Sequence, residues 1–268
     1  MKQRLDVYLA ETQPEMSREK AKALIMEGLV YVNGQKSDKP GEPVGPKDAV
    51  EIRGELPRYV SRGGLKLEKA LQCFPVSLGG AVCMDIGAST GGFTDCMLQN
   101  GAKRVYSIDV GYGQLAWKLR SDPRVVNLER TNVRYLTEEQ VPEKADFISV
   151  DVSFISLALV LPVARRFMRD SACAVCLVKP QFEAGKGRVG KKGVVREPEI
   201  HLEVLQKVLA FAKEAGFSAE RLDFSPVKGP EGNIEYLLML RKSDRPSQSE
   251  EISPEDVVKR SHESFQQR

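Results

Sequence analysis

The segment that decides the fold is residues 82–94, which read Val-Cys-Met-Asp-Ile-Gly-Ala-Ser-Thr-Gly-Gly-Phe-Thr. An apolar strand runs into a glycine-rich turn, and a helix follows. Open α/β sheets bind ligands at the carboxyl ends of their strands, where glycine lets the backbone come close to the ligand. The glycine spacing departs from the G-x-G-x-x-G dinucleotide fingerprint, so the turn predicts a ligand site without naming the ligand.

Strands and helices alternate on both sides of this turn. Strands are predicted near residues 81–86, 104–109, 125–128, 146–151 and 173–178. Ahead of them, Ser61 is predicted to cap a helix with an apolar face at Leu67, Ala70, Leu71 and Phe74. A helix near 199–215 precedes two last strands, near 219–224 and 234–241, which we expect to be antiparallel. This order predicts an α/β fold with a doubly wound, Rossmann-like sheet.

Two carboxylates accompany the glycine-rich turn. Asp85 precedes the first glycine, as in methyltransferase loops, where it can organise the loop and, through water, a ligand's amino group. Asp109 ends the next strand, where a carboxylate can accept hydrogen bonds from both ribose hydroxyls of an adenosine. The alternatives are an ordinary turn with a solvated acid, or NAD, whose proteins share the fold. Asn132 and Val133 follow the third strand, a position that commonly lies beside an adenine ring. The candidate cofactor-binding residues are Asp85, Gly87, Ser89, Thr90, Gly91, Gly92, Phe93, Asp109, Asn132 and Val133.

Two lysines and two acids are expected near the carboxyl ends of the strands. Asp151 and Lys179 end the fourth and fifth strands, Glu235 begins the last strand, and Lys66 lies on the helix before the first. The methyltransferase-like loop at Asp85 makes methyl transfer one reaction to consider for these residues. An acceptor such as a ribose hydroxyl is a weak acid, so methyl transfer to it needs a base. A lysine serves where burial and a second cation favour its neutral amine. The candidate catalytic residues are therefore Lys66, Asp151, Lys179 and Glu235, and two surface ion pairs are the alternative.

The N-terminal part reads as a separate small module. Residues 1–53 predict two short helices, the second capped by Ser17 and ended by Gly28, and then strands around Val30 and Ala49–Ile52 with an Asn33-Gly34 turn. A linker at 54–60 and a main domain at 61–242 follow. Residues 243–268 are predicted to be a polar tail, flexible over 242–252, with a short helix from Ser253.

Basic residues cluster although the net charge is only +3. A nucleic-acid partner would therefore be bound by local patches. Residues 184–196 hold five Lys or Arg and no acid, and Arg18 and Lys22 share a helix face. A solvated helix face is the alternative for the latter. The candidate RNA-binding residues are Arg4, Arg18, Lys20, Lys22, Arg62, Lys186, Arg188, Lys191, Lys192 and Arg196.

Several other classes of protein are disfavoured. The first residues, Met1–Asp6, lack the apolar region of a secretory signal, and the apolar stretch 147–164 is interrupted by Asp151 and Pro162. Cys173 and Cys176 have zinc-like spacing but lie in an apolar run that predicts a buried strand, so we expect no metal site. A cytoplasmic monomer without a membrane or stable protein partner is expected.

These motifs resemble a known family. The first 53 residues resemble an S4 RNA-binding domain, through Arg4-Leu-Asp6, Ser17-Arg18, Gly28 and Asn33-Gly34. The remainder resembles the FtsJ-like RNA methyltransferases, and the two together resemble the TlyA, or hemolysin A, family of rRNA 2′-O-methyltransferases. The motifs of the main domain are Tyr59–Lys66, Asp85–Asp95, Asp109–Leu115, Asp151–Ser156, Lys179–Glu183 and Gly232–Glu235.

The resemblance implies a function beyond what spacing predicts. It implies S-adenosyl-L-methionine as cofactor, rRNA or a ribosomal subunit as partner and a cytidine ribose as target, and it places the family's catalytic tetrad on Lys66, Asp151, Lys179 and Glu235. The alternatives are a non-catalytic RNA-binding protein, a hemolysin-like membrane-active protein and a pseudouridine synthase. Because the S4 pattern begins at Arg4, without a basic extension, we expect large-subunit (23S) rRNA alone as substrate, although a C-terminal helix favours both subunits.

Overall fold

The computed structural model describes residues 2–14, 16–26, 28–53, 57–185, 187–190, 192–247, 249 and 251–266. The chain divides into two units, Met1–Ser61 and Arg62–Arg268. Each unit has its own secondary structure and its own buried side chains, and each is described by itself below.

The N-terminal unit is a small α+β domain. Its elements are β1 (Gln3–Arg4), α1 (Leu5–Thr12), α2 (Arg18–Met26), β2 (Val30–Val32), β3 (Gln35–Ser37), β4 (Pro43–Val44) and β5 (Val50–Ile52). The predicted caps of α2 are confirmed, because Ser17 Oγ accepts from Lys20 N at 3.1 Å and Gly28 has a φ of +69°. Asn33 and Gly34 both have positive φ, as the predicted hairpin turn requires.

Two features of this unit were not predicted. The hairpin at Asn33 joins β2 to β3, so the sheet has three strands in the order β3-β2-β5. Strand β1 also pairs with β4, which fixes the start of α1. The polar composition of β3 hid it from the sequence pattern, because only Ser37 of its three residues is buried.

The second unit is built on the predicted doubly wound sheet. Its helices are α3 (Gly63–Cys73), α4 (Gly92–Gln99), α5 (Trp117–Arg120), a 3₁₀ turn (Val133–Tyr135), α6 (Leu157–Phe167), α7 (Pro180–Glu183), α8 (Pro198–Glu214) and α9 (Pro254–Gln266). Its strands are β6 (Val82–Ile86), β7 (Arg104–Ile108), β8 (Val125–Leu128), β9 (Ala145–Val150), β10 (Met168–Val178), β11 (Phe217–Phe224) and β12 (Tyr236–Lys242). The strand order is β11-β12-β10-β9-β6-β7-β8.

The register of this sheet decides where the chemistry lies. Strands β8, β7, β6, β9 and β10 are parallel, and β12 is antiparallel to both of its neighbours, as expected for the last pair. Ile86 pairs with Val150 and with Ile108, and Val178 pairs with Tyr236. The carboxyl ends of the parallel strands and the amino end of β12 therefore meet at one edge of the sheet.

Helices cover the sheet and supply its apolar core. Leu161 and Phe167 of α6 and Val208 of α8 are fully buried with Ile148 of β9 and Leu238 of β12. Strands that are buried on both faces read as continuous apolar runs rather than alternating ones. The apolar run around Cys173 and Cys176 is explained in this way.

The two cysteines of the zinc-like motif lie in strand β10, as predicted. Cys176 is fully buried and Cys173 nearly so. Successive side chains of a strand point to opposite faces, so residues three apart do not share a face.

Among the residues with described placement, no helix has the length and apolar character to cross a membrane.

Two details of the second unit differ from expectation. Helix α3 starts after Arg62, which makes no side-chain cap hydrogen bond, so the expected cap at Ser61 is wrong. Strand β12 begins at Tyr236, so Glu235 precedes the strand instead of opening it.

The described part of residues 242–252 forms backbone hydrogen bonds that the sequence interpretation did not predict, and its flexibility stays a prediction. Ala219 N donates to Ser247 O and Ser249 N donates to Ala219 O, both at 2.9 Å. Strand β11 lies at the edge of the sheet, and its free backbone groups bind this polar segment. The helix predicted from Ser253 is confirmed as α9, with Val257 and Val258 buried against the unit.

Candidate functional site

The glycine-rich turn lies in close contact with the end of strand β9. Asp151 N donates to Ile86 O at 2.9 Å. A Cβ on Gly87, whose φ is +89°, would lie 2.4 Å from Asp151 O. Only glycine fits there, and it brings the turn that follows β6 against the loop that carries Asp151.

Asp109 organises the same turn from the end of β7. Its Oδ2 accepts from Ser89 N and its Oδ1 accepts from Gly111 N, both at 2.7 Å. A carboxylate has about four lone-pair directions, so two acceptor directions remain for hydroxyl donors of a ligand. Ser89 and Thr90 are exposed at the turn, whereas Gly91, Gly92 and Phe93 are buried beneath it.

Asp85 is a fully buried carboxylate below the turn. It accepts from Thr94 Oγ1 at 2.7 Å and from Ser149 Oγ at 2.9 Å. These bonds tie the first turn of α4 to strand β9. The structure thus shows how Asp85 organises the loop, and its contact with a ligand through water stays a prediction.

We expect Asp85→Asn to stabilise the protein most at pH values above 6. Burial, opposed by hydrogen bonds from Thr94 and Ser149, raises the pKa of Asp85 from 3.8 to about 6. Between pH 3.8 and about 6 the folded protein keeps this proton while the unfolded chain has released it. The free energy of unfolding of the wild type therefore falls as the pH rises through this window. The full loss corresponds to about 3 kcal/mol.

The measurement is urea unfolding of the wild type and of Asp85→Asn between about pH 4 and pH 8. The difference in free energy of unfolding should grow through the window and then level off. An equal difference at every pH would show that Asp85 is ionised throughout.

The four candidate catalytic residues form two ion pairs. Lys66 Nζ donates to Glu235 Oε2 at 2.6 Å, and Lys179 Nζ lies 2.6 Å from Asp151 Oδ1. Both lysines are buried, with less than a tenth of each residue exposed, and Glu235 is 1% exposed. The pairs are therefore largely removed from water, which separates them from the exposed ion pairs of the alternative interpretation.

The strand register accounts for this arrangement. Val178 of β10 pairs with Tyr236 of β12. Lys179 directly follows Val178, and Glu235 directly precedes Tyr236. Asp151 follows Val150 of β9, the strand on the other side of β10. Asp151, Lys179 and Glu235 thus lie side by side at the edge that carries the glycine-rich turn, and α3 supplies Lys66.

Two residues of this site were missed by the sequence interpretation. Ser153 Oγ accepts from Lys179 Nζ at 3.1 Å. Buried Glu183 accepts from Leu157 N and from Ser156 Oγ, both at 2.7 Å, and so ties the turn after Lys179 to the loop after Asp151. Both lie inside the quoted motifs 151–156 and 179–183, so motif membership was the available signal.

The remaining cofactor candidates lie in the segment after β8. Asn132 Oδ1 accepts from Arg134 N at 3.1 Å and so caps the 3₁₀ turn, and Val133 is buried. Ile108 of β7 pairs with Leu128 of β8, so β8 ends at the sheet edge that carries the glycine-rich turn. The segment with Asn132 and Val133 leaves the sheet at that edge. Contact of these two residues with an adenine ring stays a prediction.

The basic residues of the N-terminal unit are organised by a buried acid. Asp6, fully buried, accepts from Arg4 Nε at 2.9 Å and from Arg18 Nε at 3.0 Å. Although its burial acts in the opposite direction, these two guanidinium groups hold the pKa of Asp6 below its ordinary value. About half of each arginine side chain stays exposed, which suits phosphate binding. Lys20 and Lys22 are half-buried on the same helix.

We expect Arg18→Gln to weaken RNA binding several-fold and to lower the salt dependence of log K by about one. Reversal to glutamate is a poorer test, because it places a carboxylate beside Asp6. Fluorescence anisotropy with an rRNA fragment at several salt concentrations measures both quantities. Lys47→Gln, at an exposed position of the same unit, is the matched control. Equal affinity of wild type and Arg18→Gln would remove Arg18 from RNA recognition.

In the second unit, Arg62 is exposed just ahead of α3. Arg188, Lys192 and Arg196 are exposed in the segment 184–196, called the basic loop below. Arg188 forms an ion pair with Glu203 of α8. Lys186 and Lys191 lie outside the described residues. The described cations of the loop are available for an anionic partner, Arg188 at the expense of its pair with Glu203.

Two family models match this chain. The model of the FtsJ-like methyltransferases matches residues 59–242, and the model of the S4 domain matches residues 3–50. The S4 match falls on the small α+β unit, and the FtsJ-like match, apart from residues 59–61, falls on the unit with the seven-stranded sheet.

Curated relatives match almost the whole chain. It is 44% identical to the 16S/23S rRNA (cytidine-2′-O)-methyltransferase TlyA of Mycobacterium tuberculosis, over 96% of this chain and 96% of the relative. It is 31% identical to the 23S rRNA (cytidine-2′-O)-methyltransferase TlyA of Campylobacter jejuni, over 90% and 100%. A solved structure from Streptococcus thermophilus, provisionally assigned as a hemolysin, is 49% identical and superimposes with a TM-score of 0.80 over 99% of this chain and 98% of that one.

Proposed function

This chain belongs to the FtsJ-like methyltransferases, in the TlyA family that adds an S4 domain, and from this membership we propose that it methylates the ribose 2′-hydroxyl of a cytidine in ribosomal RNA. The observation that carries the proposal is the sheet edge where the glycine-rich turn, Asp151, Lys179 and Glu235 lie side by side. Surface ion pairs alone would not need burial of both lysines.

The residues at the glycine-rich turn fit S-adenosylmethionine. Gly87 brings the turn against the backbone of Asp151, and Asp109 offers carboxylate directions suited to the two ribose hydroxyls. When bound, this cofactor supplies an electrophilic methyl group. Asn132 and Val133 are proposed to flank its adenine.

The chain's own part in the reaction is to hold and deprotonate the hydroxyl. We propose that Lys179 Nζ accepts the 2′-hydroxyl proton as general base, so that the hydroxyl oxygen becomes the nucleophile for the methyl group that the cofactor would supply. Asp151 and Ser153 hold the Lys179 head within 2.6 and 3.1 Å. Lys66, held by Glu235, orients the ribose with its ammonium group.

The partner is proposed to be a ribosomal subunit, bound through Arg4 and Arg18 of the S4 domain and the basic loop of the methyltransferase unit. The names of both TlyA relatives include 23S rRNA. We therefore propose large-subunit RNA as the substrate, methylated in the cytoplasm by a monomeric enzyme.

The test incubates the purified full chain with isolated large and small subunits and methyl-labelled S-adenosylmethionine. Nucleoside mass spectrometry should find 2′-O-methylcytidine in 23S rRNA. Label on the cytosine base, or no label with either subunit, would overturn the proposed reaction, and equal label in the small subunit would overturn the choice of substrate.

A further inference from the structure

The side chain of Asn233 binds the end of the basic loop from below. Its Oδ1 accepts from Val195 N at 3.0 Å, and its Nδ2 donates to Gly193 O at 2.9 Å. Asn233 is 1% exposed, and its bond with Val195 is buried while its bond with Gly193 is partly buried. One amide side chain thus replaces a pairing strand for residues 193–195.

A second buried side chain completes this attachment. His201 Nε2 lies 3.0 Å from Val195 O, and Tyr236 Oη lies 2.6 Å from His201 Nδ1. Burial lowers the pKa of His201 to about 4, so the ring is neutral at physiological pH. Its Nε2 then donates to Val195 O and its Nδ1 accepts from Tyr236, which leaves both backbone groups of Val195 bonded.

The two attachment points flank Glu235 in the sequence. Asn233 lies two residues before Glu235, Tyr236 lies directly after it, and Glu235 itself binds Lys66. Within the loop, Gly190 N donates to Val194 O and Gly193 N donates to Gly190 O. Lys192 and Arg196 therefore lie at the two ends of a segment, 193–195, that is hydrogen-bonded to Asn233 and, through His201, to Tyr236. Asn233 and Tyr236 lie on either side of Glu235.

We propose that Asn233 is a positioning residue that holds the basic loop, with Lys192 and Arg196, in register with the Lys66–Glu235 pair, so that the phosphates beside the target ribose are bound at the reaction centre. This assignment rests on the proposed function, because it names how the same site binds its substrate. Asn233 touches no reacting atom, and it acts through the loop that it holds.

The test uses Asn233→Ala, which removes both hydrogen bonds, and Asn233→Asp, which keeps the oxygen that accepts from Val195 N. Both variants should raise KM for large-subunit RNA about ten-fold and lower the salt dependence of log K by about one to two, roughly the contribution of Lys192 and Arg196. The value of kcat and the affinity for S-adenosylmethionine should change little.

Asn100→Ala is the control for loss of an amide-to-backbone hydrogen bond, because Asn100, an exposed residue, donates through Nδ2 to Cys96 O at the end of α4, away from the site edge. A fall in kcat with unchanged KM and salt dependence would overturn the proposal. Loss of folding in both variants, seen by circular dichroism, would do the same. RNA affinity is measured by anisotropy without turnover, so a wild type that fails to methylate contradicts the proposed function and leaves this readout intact.

Discussion

Replacing Lys179 with alanine is expected to abolish methyl transfer while leaving S-adenosylmethionine binding in place. Lys179 is the buried amine at the end of β10, between Asp151 and Ser153. Proton transfer by a positioned general base contributes about 10²–10⁴-fold to a rate, and kcat should fall by that factor. The cofactor's proposed contacts lie on the turn after β6 and on Asp109, so calorimetry should give an unchanged Kd.

Arginine at this position separates a base from a simple cation. Lys179→Arg keeps the positive charge beside Asp151, but a guanidinium stays protonated at any pH at which the protein is folded. It should therefore be as inactive as alanine. An active arginine variant would leave Lys179 only a role in orienting the substrate.

Lys242 offers a matched control for this substitution. It ends strand β12, and its Nζ lies 3.0 Å from Asp170 Oδ1, so it too is a lysine paired with an aspartate at the end of a strand. It lies at the opposite edge of the sheet, because β12 runs antiparallel to β10. Lys242→Ala should keep the wild-type kcat.

The edge that holds Lys179 could be predicted from the sequence because its determinants are local. Apolar runs punctuated by glycine predicted the parallel strands, and parallel strands place their carboxyl ends together. Asp109, Asp151 and Lys179 each follow a strand directly, so their positions required only the strand ends. The caps at Ser17 and Gly28 were predictable for the same reason.

What the pattern could not give depends on contacts distant in sequence. Lys66 and Glu235 are 169 residues apart, and their pairing requires β12 to insert beside β10. The bonds from Ala219 to Ser247 and Ser249 depend on an edge strand left open. The Arg4–Asp6–Arg18 cluster likewise joins the amino-terminal ends of α1 and α2, which composition does not reveal.

The pair between Lys66 and Glu235 has the largest expected effect on stability. The two side chains are 10% and 1% exposed, and the charged atoms are 2.6 Å apart. Removing one partner of a buried ion pair leaves the other charge desolvated and typically costs about 3–5 kcal/mol. Glu235→Ala should therefore lower the free energy of unfolding by about that amount and also reduce activity.

Replacing both residues with apolar side chains of similar size separates the two effects. Lys66→Met/Glu235→Leu leaves no buried charge, and such replacements of buried pairs are often neutral or stabilising. Urea unfolding should thus place the double variant within about 1–2 kcal/mol of the wild type. Methyl transfer should nevertheless stay below that of the wild type, because no ammonium remains to orient the ribose. A stable double variant with wild-type activity would make the pair structural, and the reaction would then depend on Lys179 and Asp151 without it.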